Sequence, residues 1–211
     1  MEIIPAINCE DWECVEGRLK MASEFPARWV HFDVSDGKFA PVVTWNDPGK
    51  LKGENVNIEA HLMVVEPERD FTRWWEAGAR RLVVHAEVIG VLPRRFIENV
   101  SDECEVGLAL LPETSVEKVL PYITGECARL GFVQCLAVSP GFSGQKFQDS
   151  VLEKVRHLRA AREDLVIEVD GGVDLEVVKL LKKEGVDVVV SSSYIWDDED
   201  PKRAFEKLGG V

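Results

Sequence analysis

The chain alternates short runs that are apolar at nearly every position with longer segments in which apolar and charged residues repeat at helical spacing. Runs of the first kind are typical of parallel strands that are buried on both faces. The pattern predicts eight strands, at Ile3–Ile7, Trp29–Val34, Val56–Leu62, Arg81–His85, Glu105–Leu111, Phe132–Val138, Leu165–Val169 and Val186–Ser191.

Helical patterns lie between these strands and after the last one. We predict helices at Asp11–Phe25, Glu66–Ala77, Val91–Asn99, Ser115–Ile123, Asp149–Arg162, Asp174–Glu184 and Pro201–Leu208. The stretch through Pro48 is expected to hold only a short helix. Regular alternation of strands and helices predicts an α/β fold, which is a barrel if the sheet closes and a doubly wound sheet if it stays open. Periodicity does not distinguish the two. No linker or composition break interrupts the chain, so we expect one domain, residues 1–211.

Composition narrows the function. Apolar residues make up 45% and charged residues 30% of the chain, which is ordinary for a globular protein, and the formal net charge is −13. Such a charge repels nucleic-acid backbones and anionic lipid surfaces, so we expect neither partner. No apolar stretch approaches the roughly 20 residues that span a bilayer. An anionic substrate therefore has to be bound by local donors.

The cysteines bear on the compartment. They are odd in number and lack C-x-x-C spacing, which predicts a reduced protein with buried thiols. The N-terminal segment also lacks a signal-peptide pattern, so we expect a cytoplasmic location. The five cysteines are Cys9, Cys14, Cys104, Cys127 and Cys135.

Metal-ligating side chains stand at the ends of predicted strands: His31 and Asp33 on the second, His61 on the third and Asp170 after the seventh. Residues i and i+2 of a strand share a face, so His31 and Asp33 both point into a barrel near its carboxyl end. Each residue alone is more often a satisfied core or capping residue. Together, two imidazoles and two carboxylates predict a divalent-cation site that suits Zn, Fe(II), Mn or Co.

His85 and Glu87 have the same i, i+2 spacing at the end of the fourth strand. We leave open whether they support the site or serve only the structure.

Small residues follow the sixth, seventh and eighth strands, where backbone N–H groups can approach an anion closely. Barrels often bind phosphate behind strands seven and eight. We therefore predict a phosphate site formed by Ser143, Gly144, Gly171, Gly172, Ser192 and Ser193.

At these residues the chain resembles the ribulose-phosphate 3-epimerase family. The similar segments run nearly end to end in the same order: Ile4–Ile7, His31–Phe39, His61–Glu68, Pro140–Phe147 and Glu168–Val173. The resemblance implies a (β/α)8 TIM barrel of the ribulose-phosphate-binding type. It also implies that His31, Asp33, His61 and Asp170 hold one divalent metal ion and that Asp33 and Asp170 are the acid/base pair.

The implied reaction interconverts D-ribulose 5-phosphate and D-xylulose 5-phosphate through an enediolate, as in the pentose phosphate pathway. We expect a homo-oligomer whose partner is this small sugar phosphate. Two alternatives stay open: an epimerase of another ketose phosphate, such as allulose 6-phosphate, and a non-catalytic sugar-phosphate-binding homologue. A metal-free decarboxylase or lyase barrel would need a catalytic lysine at a strand end, and the sequence offers none.

The sequence departs from the family pattern around the site. The family usually has Ser where this chain has Ala6, and Met where it has Ser35 and Leu136. It usually has Asn where this chain has Val42, Leu111 and Ser139, and Gly where it has Ser143 and Ser192. The four expected metal ligands match, so we expect catalysis to be retained, with substrate fit and rate open to change.

Overall fold

The sheet closes into a barrel of eight parallel strands in sequence order, with β1 paired to both β2 and β8. The computed structural model describes residues 1–53, 56–88, 90, 104–124 and 130–211. The (β/α)8 TIM barrel is thus confirmed, and the alternative of an open, doubly wound sheet is excluded. Each predicted strand is present. The strands are β1 (Glu2–Ile7), β2 (Trp29–Ser35), β3 (Asn57–Met63), β4 (Arg81–His85), β5 (Glu105–Leu110), β6 (Phe132–Leu136), β7 (Val166–Asp170) and β8 (Val188–Ser191).

Helices follow the strands on the outside of the barrel. The helices of the described residues are α1 (Trp12–Ala22), α2 (Pro67–Glu76), α3 (Leu120–Ile123), α4 (Val151–Ala161), α5 (Leu175–Lys183), α6 (Ser193–Trp196) and α7 (Pro201–Gly209). A short 3₁₀ helix at Pro48–Leu51 confirms the expectation for that stretch. The predicted helix Val91–Asn99 lies outside the described residues.

One predicted helix, Ser115–Ile123, is wrong as a single element. It is divided into a 3₁₀ turn, Val116–Lys118, and α3. Pro121 explains the break, because proline has no N–H to donate within a continuing helix and is tolerated only in the first turn. Pro121 accordingly lies in the first turn of α3.

The helices α1, α5 and α7 each begin at an aspartate cap whose side chain accepts backbone N–H bonds. Asp11 accepts from Cys14 N, and Asp200 accepts from Arg203 N. Asp174 accepts from two N–H groups at the start of α5, directly after the β7 loop. That cap holds the loop that carries part of the predicted anion site.

The two faces of each strand meet different surroundings. On β3 the outward side chains Ile58, Ala60 and Leu62 belong to the main core between barrel and helices. The alternating residues Glu59 and His61 are fully buried inside the barrel. The barrel interior therefore carries polar groups, and apolar residues flank them in two smaller clusters: Ile4, Ala6, Val188 and Val190, and Val83, Ala109, Phe132 and Leu136.

The cysteine expectation is partly wrong. Cys9 and Cys14 form a disulfide across the β1–α1 turn, where α1 brings two cysteines five positions apart within bonding reach. Cys104 and Cys135 are buried free thiols as predicted, and burial raises the pKa of each to about 12. Cys127 lies outside the described residues. Among the described helices, none is long and apolar enough to cross a membrane.

Candidate active site

Four side chains converge at the carboxyl end of the barrel. His31 and Asp33 come from β2, His61 from β3 and Asp170 from the last position of β7, and the strand register sets Asp33 beside His61. Asp33 Oδ1 lies 3.3 Å from His31 Nε2 and 3.4 Å from His61 Nδ1, and Asp170 Oδ2 lies 3.7 Å from the same His61 nitrogen. One donor atom from each residue falls within 4.8 Å of all the others, which is close enough for one ion.

Glu59 orients His31 from below. Its Oε1 is 2.6 Å from His31 Nδ1, and its Oε2 accepts from Arg81 at 3.3 Å. Burial opposes the charged form of His31, but the hydrogen bonds that its ring donates to Asp33 and Glu59, with their negative charges, outweigh burial and raise the pKa of His31 well above its usual range. The Nδ1–H therefore donates to Glu59, and Nε2 faces the centre.

The two aspartates have different electrostatic environments. Burial raises the pKa of Asp170 to about 7, with help from the Asp33 charge. Burial also opposes ionisation of Asp33, yet the hydrogen bond and the charge of His31, together with the nearby His61 ring, outweigh it and depress its pKa. With protein groups alone around them, Asp33 is ionised at neutral pH while Asp170 is close to half-protonated. Two carboxyls whose pKa values are pushed apart are typical of an acid/base pair.

His61 is held by a second line of contacts. Its Nε2 lies 2.9 Å from His85 Nε2, and His85 Nδ1 lies 3.1 Å from Glu87 Oε2. Burial lowers the pKa of His61 to about 4 and also lowers that of His85, so both rings are neutral at pH 7. His85 and Glu87 therefore do more than fill the structure, because both belong to a line of contacts that reaches the candidate metal ligand His61.

Sequence reasoning missed Asn8, which follows β1. Its Nδ2 donates to Asp33 Oδ2 at 3.1 Å and to the carbonyl of Gly141 at 3.2 Å. This amide ties an acid/base candidate to the loop after β6. A polar residue directly after a strand was the available signal.

Reasoning from strand ends also missed a lower polar layer, Glu59, Gln134 and Glu168. Among the described residues, both carboxyl oxygens of Glu168 and both amide atoms of Gln134 lack hydrogen-bond partners. Burial and the neighbouring charge of Glu59 raise the pKa of Glu168 well above its usual range. Because Glu59 precedes His61 and Glu168 precedes Asp170 by two positions, the same-face rule would have found these two.

All six predicted anion-site residues line one cavity, together with Asp33 and Asp170. Gln145 pins the loop after β6 by donating to the carbonyls of Ser139 and Phe142 at 2.6 and 2.8 Å. Within the described part of the chain, no protein acceptor takes the backbone N–H of Gly144 or Gly172. These donors are therefore available to a ligand in the cavity.

Gly172 allows two loops to meet. It has a positive φ of 68°, and a Cβ there would lie 2.5 Å from the backbone nitrogen of Phe147. Only glycine fits such an approach without strain. The contact brings the β7 loop against the β6 loop on the cavity wall.

The positions that depart from the family pattern lie in different places. Leu136 and Ser139 line the cavity. Ser35 does not, because its Oγ donates to the carbonyl of Val42 at 2.7 Å and ties down the loop after β2. Ala6 is buried in an apolar cluster inside the barrel. The departures that can reach a ligand directly thus include Leu136, Ser139, Ser143 and Ser192.

Comparison with known proteins adds the family. A model of the ribulose-phosphate 3-epimerase family matches residues 2–196. The chain belongs to the ribulose-phosphate 3-epimerase family. Its membership makes the protein an epimerase-type isomerase, as the resemblance predicted.

Relatives align over the full barrel. Ribulose-phosphate 3-epimerase from Bacillus subtilis is 32% identical over 222 positions, covering 100% of this chain and 99% of that protein. The ribulose-phosphate 3-epimerase of Schizosaccharomyces pombe is 31% identical, and the alignment covers 98% of this chain and 92% of that protein. The epimerase family match is therefore a match of whole chains.

Solved structures share the fold. A 3-hexulose-6-phosphate synthase superposes with a TM-score of 0.72 at 17% identity, covering 100% of this chain and 99% of that one. KGPDC from Streptococcus mutans gives 0.71 at 14% identity, covering 99% and 95%. At these identities the likeness concerns the barrel alone.

Proposed function

We propose that the protein is a metal-dependent 3-epimerase that interconverts D-ribulose 5-phosphate and D-xylulose 5-phosphate by a two-base mechanism. One observation carries the proposal: Asp33 and Asp170 line the same cavity as the predicted phosphate loops and stand beside two buried imidazoles. The relatives bearing the name ribulose-phosphate 3-epimerase support the choice of substrate.

The donor set fits a divalent cation. His61 Nδ1 is buried and has no hydrogen-bond partner among the described residues, although it faces two carboxylates. His31, Asp33, His61 and Asp170 would hold one ion, and Zn, Fe(II), Mn or Co suits this mixed set. When bound, such a cation supplies Lewis-acid stabilisation of the charge that develops on the ketone oxygen.

The aspartates would move the proton. For inversion at C3, one carboxylate removes the C3 proton and the other carboxyl returns a proton from the opposite face of the enediolate. Asp33 is ionised and can accept the proton, and Asp170 lines the same cavity and can return one. The reverse reaction exchanges the two roles. The Asn8 amide holds one Asp33 oxygen and leaves the other facing the centre.

The phosphate would be bound mainly by backbone N–H groups of Gly144, Gly172, Ser192 and Ser193, with Ser143 and Gly171 shaping the loops. The net charge of −13 offers no general attraction to an anion, so these local donors have to supply the binding. Ser192 can add its hydroxyl.

A coupled assay tests the proposal. Purified protein is stripped with a chelator, and xylulose 5-phosphate formation from ribulose 5-phosphate is followed before and after adding one ion at a time. We expect activity to disappear and return with Zn, Fe(II), Mn or Co, and the product formed in D₂O to carry deuterium at C3. Allulose 6-phosphate as substrate, with formation of its own C3 epimer followed instead, tests the alternative epimerase. Binding of ribulose 5-phosphate without turnover by any metal-loaded form would favour the non-catalytic homologue.

We also propose a cytoplasmic location, since a rice relative is named a cytoplasmic isoform. The homo-oligomer stays a prediction, which light scattering of the purified protein checks.

A further inference from the structure

A line of hydrogen bonds runs from a backbone amide to the metal-facing imidazole. The N–H of Leu111 donates to Glu87 Oε1 at 3.2 Å, Glu87 Oε2 lies 3.1 Å from His85 Nδ1, and His85 Nε2 lies 2.9 Å from His61 Nε2. Both rings are fully buried, and the Phe39 ring covers His85 at a centroid distance of 4.3 Å.

This line of hydrogen bonds determines which nitrogen of His85 and of His61 carries the proton. An ionised carboxylate only accepts hydrogen bonds, so His85 has to carry its proton on Nδ1 to donate to Glu87. The other nitrogen of a neutral imidazole is then an acceptor, which makes His61 the donor through its Nε2–H. The remaining nitrogen, His61 Nδ1, is left with a lone pair that faces Asp33 and Asp170.

We propose that His85 and Glu87 are positioning residues that set the tautomer of His61, so that its Nδ1 lone pair is directed at the cation site. The inference rests on the proposed metal site, because a cation held by Asp33 and Asp170 is the partner that this lone pair would bind. It gives Glu87 a role although Glu87 is not among the four metal ligands.

Replacing Glu87 with glutamine exchanges the donor and the acceptor in each hydrogen bond between residue 87, His85 and His61. The Leu111 N–H requires an acceptor, so the amide oxygen of Gln faces it and the amide NH₂ faces His85 Nδ1. His85 then becomes an acceptor at Nδ1 and a donor at Nε2, and His61 has to carry its proton on Nδ1. Cation binding must remove that proton and break the bond between the rings. Changes to groups that orient metal ligands typically cost about 10–100-fold in metal affinity.

The first measurement is the histidine tautomer in metal-free protein, from long-range ¹H–¹⁵N spectra. The chain has only four histidines, and the exposed His157 can be assigned by substitution. We expect His61 to carry its proton on Nε2 in the unsubstituted protein and on Nδ1 in Glu87→Gln. The second measurement is Zn²⁺ affinity by chelator competition, expected to be about 10–100-fold weaker in Glu87→Gln.

Glu113→Gln is the matched control, because it removes one negative charge that acts on His85 but lies outside the hydrogen-bonded line. We expect it to leave the His61 tautomer unchanged and to alter Zn²⁺ affinity by less than about threefold.

The outcomes separate this inference from the metal function. A proton on His61 Nδ1 in the unsubstituted protein, or an unchanged tautomer and affinity in Glu87→Gln, overturns the inference and leaves the metal function standing. The expected tautomers without any Zn²⁺ binding support the tautomer assignment and refute the metal function. The measurement on the unsubstituted protein decides the matter even if Glu87→Gln does not fold.

Discussion

Substituting Gly172 with alanine tests the predicted phosphate site, because this glycine is where the β7 and β6 loops touch. Its φ is +68°, and an added Cβ would lie 2.5 Å from Phe147 N and 2.6 Å from Phe147 Cα. Both contacts are to backbone, which cannot rotate away as a side chain can. The next residue, Gln148, anchors the segment by donating its N–H to the carbonyl of Ala137 at 2.9 Å.

The magnitude follows from two costs. The left-handed conformation costs an alanine about 1–2 kcal/mol. Restoring ordinary contact at about 3.4 Å requires the loops to separate by about 0.9 Å, and such overpacking costs about 1–3 kcal/mol more. A displacement of about 1 Å in substrate-positioning groups can lower the rate by about 10²-fold. We expect kcat/KM for ribulose 5-phosphate to fall by about 10–100-fold.

Gly185→Ala is the control, since Gly185 has a similar φ of +77° and no atom within 4 Å of an added Cβ. Gly185 lies after α5, away from the cavity, so this variant should lose about 1–2 kcal/mol of unfolding free energy and no activity. Urea unfolding and the coupled assay measure both quantities. If Gly172→Ala were no less stable than Gly185→Ala and kept the unsubstituted kcat/KM, the assignment of this loop contact to phosphate binding would be wrong.

The remaining predictions concern protons, the ion and the core. Asp33→Asn and Asp170→Asn should each lower kcat by at least about 10²–10⁴-fold at saturating metal, and near-normal turnover in either would remove that residue from the acid/base pair. Metal affinity should rise with pH, because an ion has to displace the proton of His31, whose pKa is raised, and below about pH 7 that of Asp170. Calorimetric titrations in several buffers should therefore show proton release, and an affinity that is flat from pH 5 to pH 7 would contradict this. Gly107→Ala should lose about 1–3 kcal/mol in urea unfolding, because its Cβ would lie 2.3 Å from the ring of Phe132, and Phe132→Leu in the same chain should recover part of the loss.

Local patterns in the sequence were enough to place the strands and the residues at their ends. Parallel strands buried on both faces need apolar residues at nearly every position, so each run of β1 to β8 stands out from the helices around it. The same-face spacing put His31 with Asp33, and in the structure both contact His61. The family resemblance, carried by segments along the whole chain, supplied the closed barrel.

Only the tertiary structure decided which groups meet from distant strands and in what orientation. Closure depends on the pairing of β1 with β8, which no local pattern encodes. The Glu59 contact to His31 joins β3 to β2, and the bond between His85 and His61 joins β4 to β3, so strand register sets both distances. The acid/base difference between Asp33 and Asp170 has the same origin. Desolvation and neighbouring charges depend on separations of a few ångströms in space, and distance along the chain does not determine these.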